Sequence, residues 1–243
     1  MIESTNNEKI KEYAKLSDKK YREKTGLFLI EGKHLIEEAS KKGIIKDMFL
    51  LDGEKTDIKQ IPITYVSLPV LKKLSSVTNP SKIIAVCYKL VANEIKGNIL
   101  ILDDISDPGN LGTIIRSAVA FDYQTIILSP KSVDIYNPKV IRASEGMLFN
   151  INIVISELLP SIKELKAKDY LILGTDVKKG KNPQGIEKMH ALIIGSEANG
   201  VSGKLLSLTD ENLKIEMNSI CESLNAGVSA SILMYSLNQE KLK

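Results

Sequence analysis

Residues 99–121 read ILILDDISDPGNLGTIIRSAVAF, and the order of residue types in this stretch decides the fold. ILILDD is a near-continuous apolar run, as expected of a strand buried on both faces of a parallel sheet; a half-exposed strand would alternate. SDPGN interrupts it, and apolar residues then return at helical spacing, with Leu111, Ile114, Ile115, Ala118 and Val119 on one face of a helix over residues 111–121. Asn110 stands just before that helix and is expected as its N-cap. A buried strand passing through a short polar loop into an amphipathic helix is the repeating unit of α/β domains.

The unit recurs downstream. TIILS, INIVIS, YLILGT and ALIIGS are further buried-strand runs, and ISELLPSIKELKAK and SLNAGVSASILMYSLNQ read as helices between or after them. In such a sheet ligands sit at the carboxyl ends of the strands, where the loops SDPGN, GTDVKKG and GSEANG lie on this reading. Upstream, a helix to about Ser17, a polar link DKKYREKTG, a strand LFLIE and a helix over residues 33–42 come first. Strands DMFLL and ITYV, a helix over residues 69–74 and a strand KIIAVCY complete a smaller α/β unit. VANEIKGN, where apolar periodicity lapses, is the linker, so the expected domains span residues 1–92 and 97–243.

Of 243 residues, 33 are Lys or Arg and 30 Asp or Glu, giving a formal charge of +3. No run of about 18 apolar residues occurs and the start MIESTNNEKIKEY is polar, which argues against a membrane span or secretory leader and for a cytoplasmic protein. Cys87, Cys221, His34 and His190 lack the spacing of a zinc cluster or a disulfide scaffold, so no metal is expected. The charge is uneven: residues 1–96 carry 18 basic and 13 acidic side chains, a net of +5, and the remainder 15 and 17, a net of −2. The first part therefore suits an anion such as nucleic acid, although lysine-rich surfaces are also commonly just solvated. Against thirty lysines stand only Arg22, Arg116 and Arg142, and an arginine offers a bidentate plane that lysine lacks.

Three segments bear on chemistry. GSEANGVS, from Gly195 to Ser202, nearly fits a phosphate-binding loop, but Val201 occupies the place of its lysine and no G-x-G-x-x-G follows a strand. Nucleotide triphosphates and dinucleotides are disfavoured, while Glu197 between two glycines at a strand end still suits a small polar ligand. Within residues 111–121, Gly112, Arg116 and Ala120 form a second stripe that clears room around the arginine for a phosphate, a ribose or another polypeptide. The third segment is IEMNSICESLNAGVSASILMYSL, residues 215–237, whose helix is expected from Ser223. Ala226, Gly227, Ser229, Ala230 and Ser231 are small, and an interior helix glycine costs about 1 kcal/mol against alanine. Close packing, within the chain or against a second subunit, is the return for that cost, with Ser223 and Asn225 presenting polar groups at the helix start.

In order and spacing, DPGNLGTIIRSAVAFD, GSEANGVS and IEMNSICESLNAGVSA resemble the three motifs of the SpoU (TrmH) branch of the SPOUT RNA methyltransferases. REKTGLFLIEGKHLIEEASKKG is similar to the substrate-binding domain often placed before them, which resembles a ribosomal-protein-type RNA-binding fold. Departures are Glu216 in place of a usual proline, Ser219 in place of glycine, and Ala226 and Gly227 for valine and serine. The resemblance implies a trefoil-knotted parallel-sheet domain behind a small α/β RNA-binding domain, a homodimer, and S-adenosylmethionine as cofactor. By motif position it places Gly174, Thr175, Gly195, Ile215 and Leu224 around the cofactor, and Asn110, Arg116, Glu197, Ser223 and Asn225 around the methyl acceptor. The implied reaction is methyl transfer to a ribose 2′-hydroxyl of structured RNA, ribosomal by preference because of the first domain. A transfer-RNA substrate, or a noncatalytic RNA-binding assembly factor of the same fold, stand as alternatives.

Overall fold

The computed structural model describes residues 1–58, 61–177 and 179–240; Lys178 of the loop GTDVKKG and the last three residues of the expected second domain lie outside the described residues. In chain order the elements begin α1 Glu8–Ala14, a 3₁₀ turn Lys15–Ser17, α2 Lys19–Thr25, β1 Leu27–Glu31, α3 Lys33–Lys41, β2 Ile45–Leu51, β3 Ile63–Val66, α4 Leu68–Leu74 and β4 Ile83–Tyr88. There follow β5 Asn98–Asp103, α5 Pro108–Ala120, β6 Tyr123–Leu128, α6 Pro138–Ala143, a 3₁₀ turn Met147–Asn150, β7 Asn152–Ile155 and α7 Leu158–Ala167. β8 Leu171–Thr175, β9 His190–Gly195, α8 Gly203–Leu206, β10 Glu211–Leu213 and α9 Ala226–Asn238 complete the chain.

These elements form two compact units, one of Met1–Val91 with Tyr136–Phe149, the other of Ala92–Ile135 with the chain from Asn150 on. The first carries a four-stranded sheet in the order β1-β4-β2-β3, antiparallel except for the parallel pair β2 and β3. Ile10 and Leu16 from the first helical turns pack with Val70 and Leu71 of α4 against Phe49, Ile84 and Val86 of the sheet. DKKYREKTG, read as a polar link, is instead mostly helix. Asp18 caps it by accepting from the Lys20 amide at 2.8 Å, and Gly26 ends it at φ 67°. Buried Arg22 donates from Nη1 to the carbonyls of Leu16 and Ser17, both at 2.8 Å, so its fork closes the neighbouring turn.

Residues 136–149, which the sequence reading placed in the second domain, pack with the first unit. The Tyr136 ring lies 4.5 Å from that of Phe28, centroid to centroid, and the Phe149 ring 6.4 Å from it. Tyr136 Oη accepts from the Leu90 amide at 2.8 Å, and Arg142 Nη1 donates to Ser76 Oγ at 2.7 Å and stands 3.7 Å from Glu31. Aromatic packing and a charged anchor from distant sequence thus override chain proximity.

The second unit is a six-stranded, wholly parallel sheet in the order β10-β8-β9-β5-β6-β7. Ile99, Ile101, Ile127, Ile172 and Ile193 point to one face, where Leu158, Ile162 and Leu165 of α7 cover them. Leu100, Leu102, Ile126, Leu192 and Ile194, of opposite parity, are also buried, and α5 and α9 pack on that side. Burial of both faces is why the strands read as continuous apolar runs. Register pairs Asp103 with Gly195 and Thr175 with Leu213, so four strand ends open into loops along one edge.

Within this sheet buried Tyr123 and His190 meet, Oη to Nε2 at 2.7 Å, while His190 Nδ1 stands 3.2 Å from the Lys188 carbonyl. A carbonyl only accepts, so Nδ1 carries the proton and Nε2 accepts from the tyrosine. Tyr123→Phe deletes this buried hydrogen bond and is expected to lower the unfolding free energy by about 1–2 kcal/mol in urea denaturation, with an unchanged m-value. An unchanged midpoint would show that the pair contributes nothing.

Candidate functional site

α5 starts three residues before the expected helix because Pro108 takes its first position, where a missing N–H costs nothing. Asp107, not Asn110, is its N-cap: the aspartate accepts from the Asn110 amide at 2.8 Å. The correction frees the Asn110 side chain. Its Nδ2 donates to Glu197 Oε1, and its Oδ1 accepts from Asn225 Nδ2 at 2.7 Å. Asn225 in turn caps α9 by accepting from the amides of Gly227 at 2.9 Å and Val228 at 3.2 Å. The helix therefore begins at Ala226, later than Ser223, which lies in the preceding loop.

The loop holding Glu197 folds back on the end of β9. A Cβ on Gly195 would lie 2.0 Å from the carbonyl carbon of Gly200 and 2.2 Å from the Val201 amide nitrogen, so only glycine allows this approach. Gly200 turns the chain at φ 63° and donates to the Ser196 carbonyl at 2.8 Å, and the Ser202 amide donates to Asp103 Oδ2 at 2.9 Å. The loop after β5 is held likewise: buried Ser129 and Ser132 accept from the amides of Asp104 and Ile105 at 3.0 and 3.1 Å.

Along this edge lies a cavity of about 470 Å³. Thr175, Gly195, Glu197, Ile215, Ser223 and Leu224 line it, and so do Ser229, read from the sequence only as a small packing residue, and Met217 and Leu233, which sequence reasoning passed over. The Thr175 hydroxyl is committed to the Ile193 carbonyl at 3.1 Å, leaving its surroundings mainly backbone and apolar. Gly174 does not line the cavity. Its missing Cβ makes room for Asn212 Oδ1, at 2.2 Å, and Thr209 Cγ2, at 2.7 Å, so β10 and its approach can close on β8.

Arg116 is also outside the lining, exposed on α5, and among the described residues it makes no hydrogen bond or ion pair. Arg22 and Arg142 are both engaged within the first unit. The small residues of α9 serve packing within the chain: a Cβ on Gly227 would meet Thr113 of α5 at 3.3 Å, and Ser231 Oγ stands 2.7 Å from Ser117 Oγ. The outer face of α9 leaves Val228, Ile232 and Tyr235 exposed at helical spacing.

Because Asp107 does the capping, Asp107→Ala is expected to cost about 1 kcal/mol of stability and Asn110→Ala less. Asn110→Ala is expected instead to speed hydrogen exchange of the amides of residues 196–200, read by mass spectrometry. Equal stability losses with unchanged exchange would make Asn110 a helix residue only.

The chain matches known proteins over nearly its full length. Residues 97–235 match the SpoU rRNA Methylase family and residues 7–85 the MRM3-like substrate binding domain. The 23S rRNA (guanosine(2553)-2′-O)-methyltransferase RlmP of Bacillus subtilis (strain 168) is 38% identical over 97% of this chain and 98% of its own. The crystal structure of an RNA 2′-O ribose methyltransferase superposes with a TM-score of 0.86 at 29% identity, covering 100% of this chain and 99% of that one. The SpoU methyltransferase AviRb of Streptomyces viridochromogenes, in complex with AdoMet, shares the fold with a TM-score of 0.85 at 22% identity, covering 98% of this chain and 99% of its own. With more than half its length matched to the family and a 38% identical relative spanning nearly all of it, the chain belongs to the SpoU rRNA methylase family.

Proposed function

We propose that this protein methylates a ribose 2′-hydroxyl of ribosomal RNA, with S-adenosylmethionine as donor. The observation that carries the reading is the meeting of Asn110, Glu197 and Asn225, from three separate segments, beside the cavity at the carboxyl edge of the sheet. The activity named for the Bacillus relative, at 38% identity, supplies the reaction class.

The cavity fits the donor. Its walls combine apolar side chains, Ile194, Leu213, Ile215, Met217, Leu224 and Leu233, with backbone at Gly195 and in the loop before α9, and hold no lysine in the phosphate-loop position. Thr175, Gly195, Ile215 and Leu224 would hold the donor, largely through backbone groups. When bound, S-adenosylmethionine supplies a methyl group on a sulfonium, which is electrophilic without further activation. The chain's own residues then have two tasks, placement and charge stabilisation. Glu197, held by Asn110, and Asn225, held by its own helix start, present fixed polar groups beside the cavity, and such fixed placement accounts for much of the barrier lowering. As the new O–CH3 bond forms and the S–CH3 bond breaks, the hydroxyl proton leaves to solvent water; Arg116, always protonated, does not take it up, and its guanidinium positions a phosphate and stabilises the developing alkoxide.

In the same reading the first unit receives the RNA and the second holds the donor. The chain is a cytoplasmic homodimer whose subunits meet on the exposed Val228, Ile232 and Tyr235 of α9, an apolar stripe that solvent disfavours. The loops beyond β8 and β10 form a trefoil knot, a rare exception to unthreaded chains. A Cβ on Gly180 would lie 2.3 Å from the Leu213 carbonyl carbon, a close crossing of backbones that accords with such threading.

Single-turnover transfer of labelled methyl to ribosomal RNA tests the reading. Wild-type protein is expected to label RNA, and Arg116→Lys, which keeps charge but loses the bidentate plane, to be slower by about 100-fold or more. Donor affinity measured by calorimetry is expected to stay within about twofold in that variant, a difference of less than about 0.5 kcal/mol. Transfer at wild-type rate would reduce Arg116 to a surface residue, and lost donor affinity would move it into the cavity.

A further inference from the structure

In the first unit, one end of the sheet gathers lysines that form no ion pair among the described residues. The Lys89 amide donates to the Gly26 carbonyl at 2.8 Å and the Tyr88 amide to the Ile44 carbonyl at 2.9 Å, and Leu27 pairs with Tyr88. These bonds bring together the end of α2 with Lys24, the end of α3 with Lys42, the start of β2 with Lys46, and the end of β4 with Tyr88 and Lys89.

Carboxylates on the same elements are already matched. Asp47 binds Lys9 at 2.5 Å and accepts from Tyr13, Glu38 binds Lys41 at 2.5 Å, and Glu23 and Glu37 stand 3.8 Å from Lys19 and Lys33. Among the described residues Lys24, Lys42, Lys46 and Lys89 form no ion pair. Lys46 Nζ instead lies 5.8 Å from the Tyr88 ring centroid and 5.9 Å from that of Tyr13, and Lys89 Nζ 5.0 Å from that of Tyr136. Tyr88 itself is 51% exposed. An aromatic ring left in solvent beside Lys46, at a sheet end where Lys24, Lys42 and Lys89 also form no ion pair among the described residues, offers two kinds of binding at once, a stacking surface and phosphate partners.

We propose that this end of the first unit, centred on Tyr88 and bounded by Lys24, Lys42, Lys46 and Lys89, binds a single-stranded segment of the RNA substrate by stacking one base on Tyr88 and pairing its phosphates with the lysines. The inference rests on the RNA reading above and adds where and in what form the RNA is held. An acidic polypeptide would use the lysines but leave the ring without a partner, whereas every base has a face to stack.

Full-length protein is titrated into a labelled single-stranded oligoribonucleotide of mixed sequence over a range of salt. Tyr88→Ala is expected to weaken binding about fivefold or more, since one stacked base contributes that much, and Tyr88→Phe to bind as wild type. Lys42→Gln with Lys46→Gln is expected to reduce the slope of log affinity against log salt by about 1.4, because each phosphate of a single strand that is no longer neutralised takes away about 0.7. Thermal melting and S-adenosylmethionine affinity are expected to be unchanged in all three variants. Wild-type affinity in Tyr88→Ala together with an unchanged slope in the double variant would overturn this proposal while leaving the RNA reading intact. A wild-type protein that binds no RNA would overturn both.

Discussion

The side-chain amide of Asn110 holds together segments that the chain keeps 87 and 115 residues apart. It can do so only because Asp107 has taken over the helix cap, and Asp107 is placed by a buried strand that ends one turn earlier. On the Glu197 side, the loop reaches Asn110 because Gly195 lets backbone lie directly on backbone. On the Asn225 side, Gly227 lets α9 approach Thr113 of α5 within a methyl group's packing distance. Two residues without side chains therefore set the positions of three polar ones. The geometry is fixed by packing and backbone bonds before any ligand enters, which is the preorganisation that charge development in a reaction requires.

The three arginines divide by environment. Arg22 is buried and spends its fork on two carbonyls of a turn, and Arg142 anchors residues 136–149 through Ser76 and Glu31. Neither role can be filled by lysine, whose point charge satisfies one direction at a time. Among the described residues Arg116 has no such partner, so in a sequence that otherwise uses lysine its presence accords with a partner that arrives from outside. The same comparison separates the six lysines of the first unit that face carboxylates, Lys9, Lys15, Lys19, Lys33, Lys41 and Lys82, from those at the sheet end that carries Tyr88.

Much of this was legible in the sequence for a physical reason. Strands buried on both faces cannot alternate, so β5, β6, β8 and β9 stand out as apolar runs, and the polar residues at their ends mark the functional edge. Elements that owe their existence to tertiary packing were not. α2 has seven residues and hardly any apolar face, and only Asp18 before it and Gly26 after it signal a helix. β10, three residues long, packs beside β8 where Gly174 leaves room; the family resemblance places the same glycine beside the cofactor. The return of residues 136–149 to the first unit depends on Phe28, which no local pattern connects to Tyr136 or Phe149. Asn110 reads as the cap because all of SDPGN looks like loop, yet Pro108 within it is well suited to a first helical position.

If the proposed activity is the biological one, its trace lies in the RNA. Nucleotide-resolution mapping of 2′-O-methyl groups in ribosomal RNA, from cells with and without this protein, tests that most directly. The account predicts that at least one methylated ribose is lost in its absence, restored by the wild-type chain and not by Arg116→Ala. Identical maps of ribosomal RNA from the two strains would contradict it.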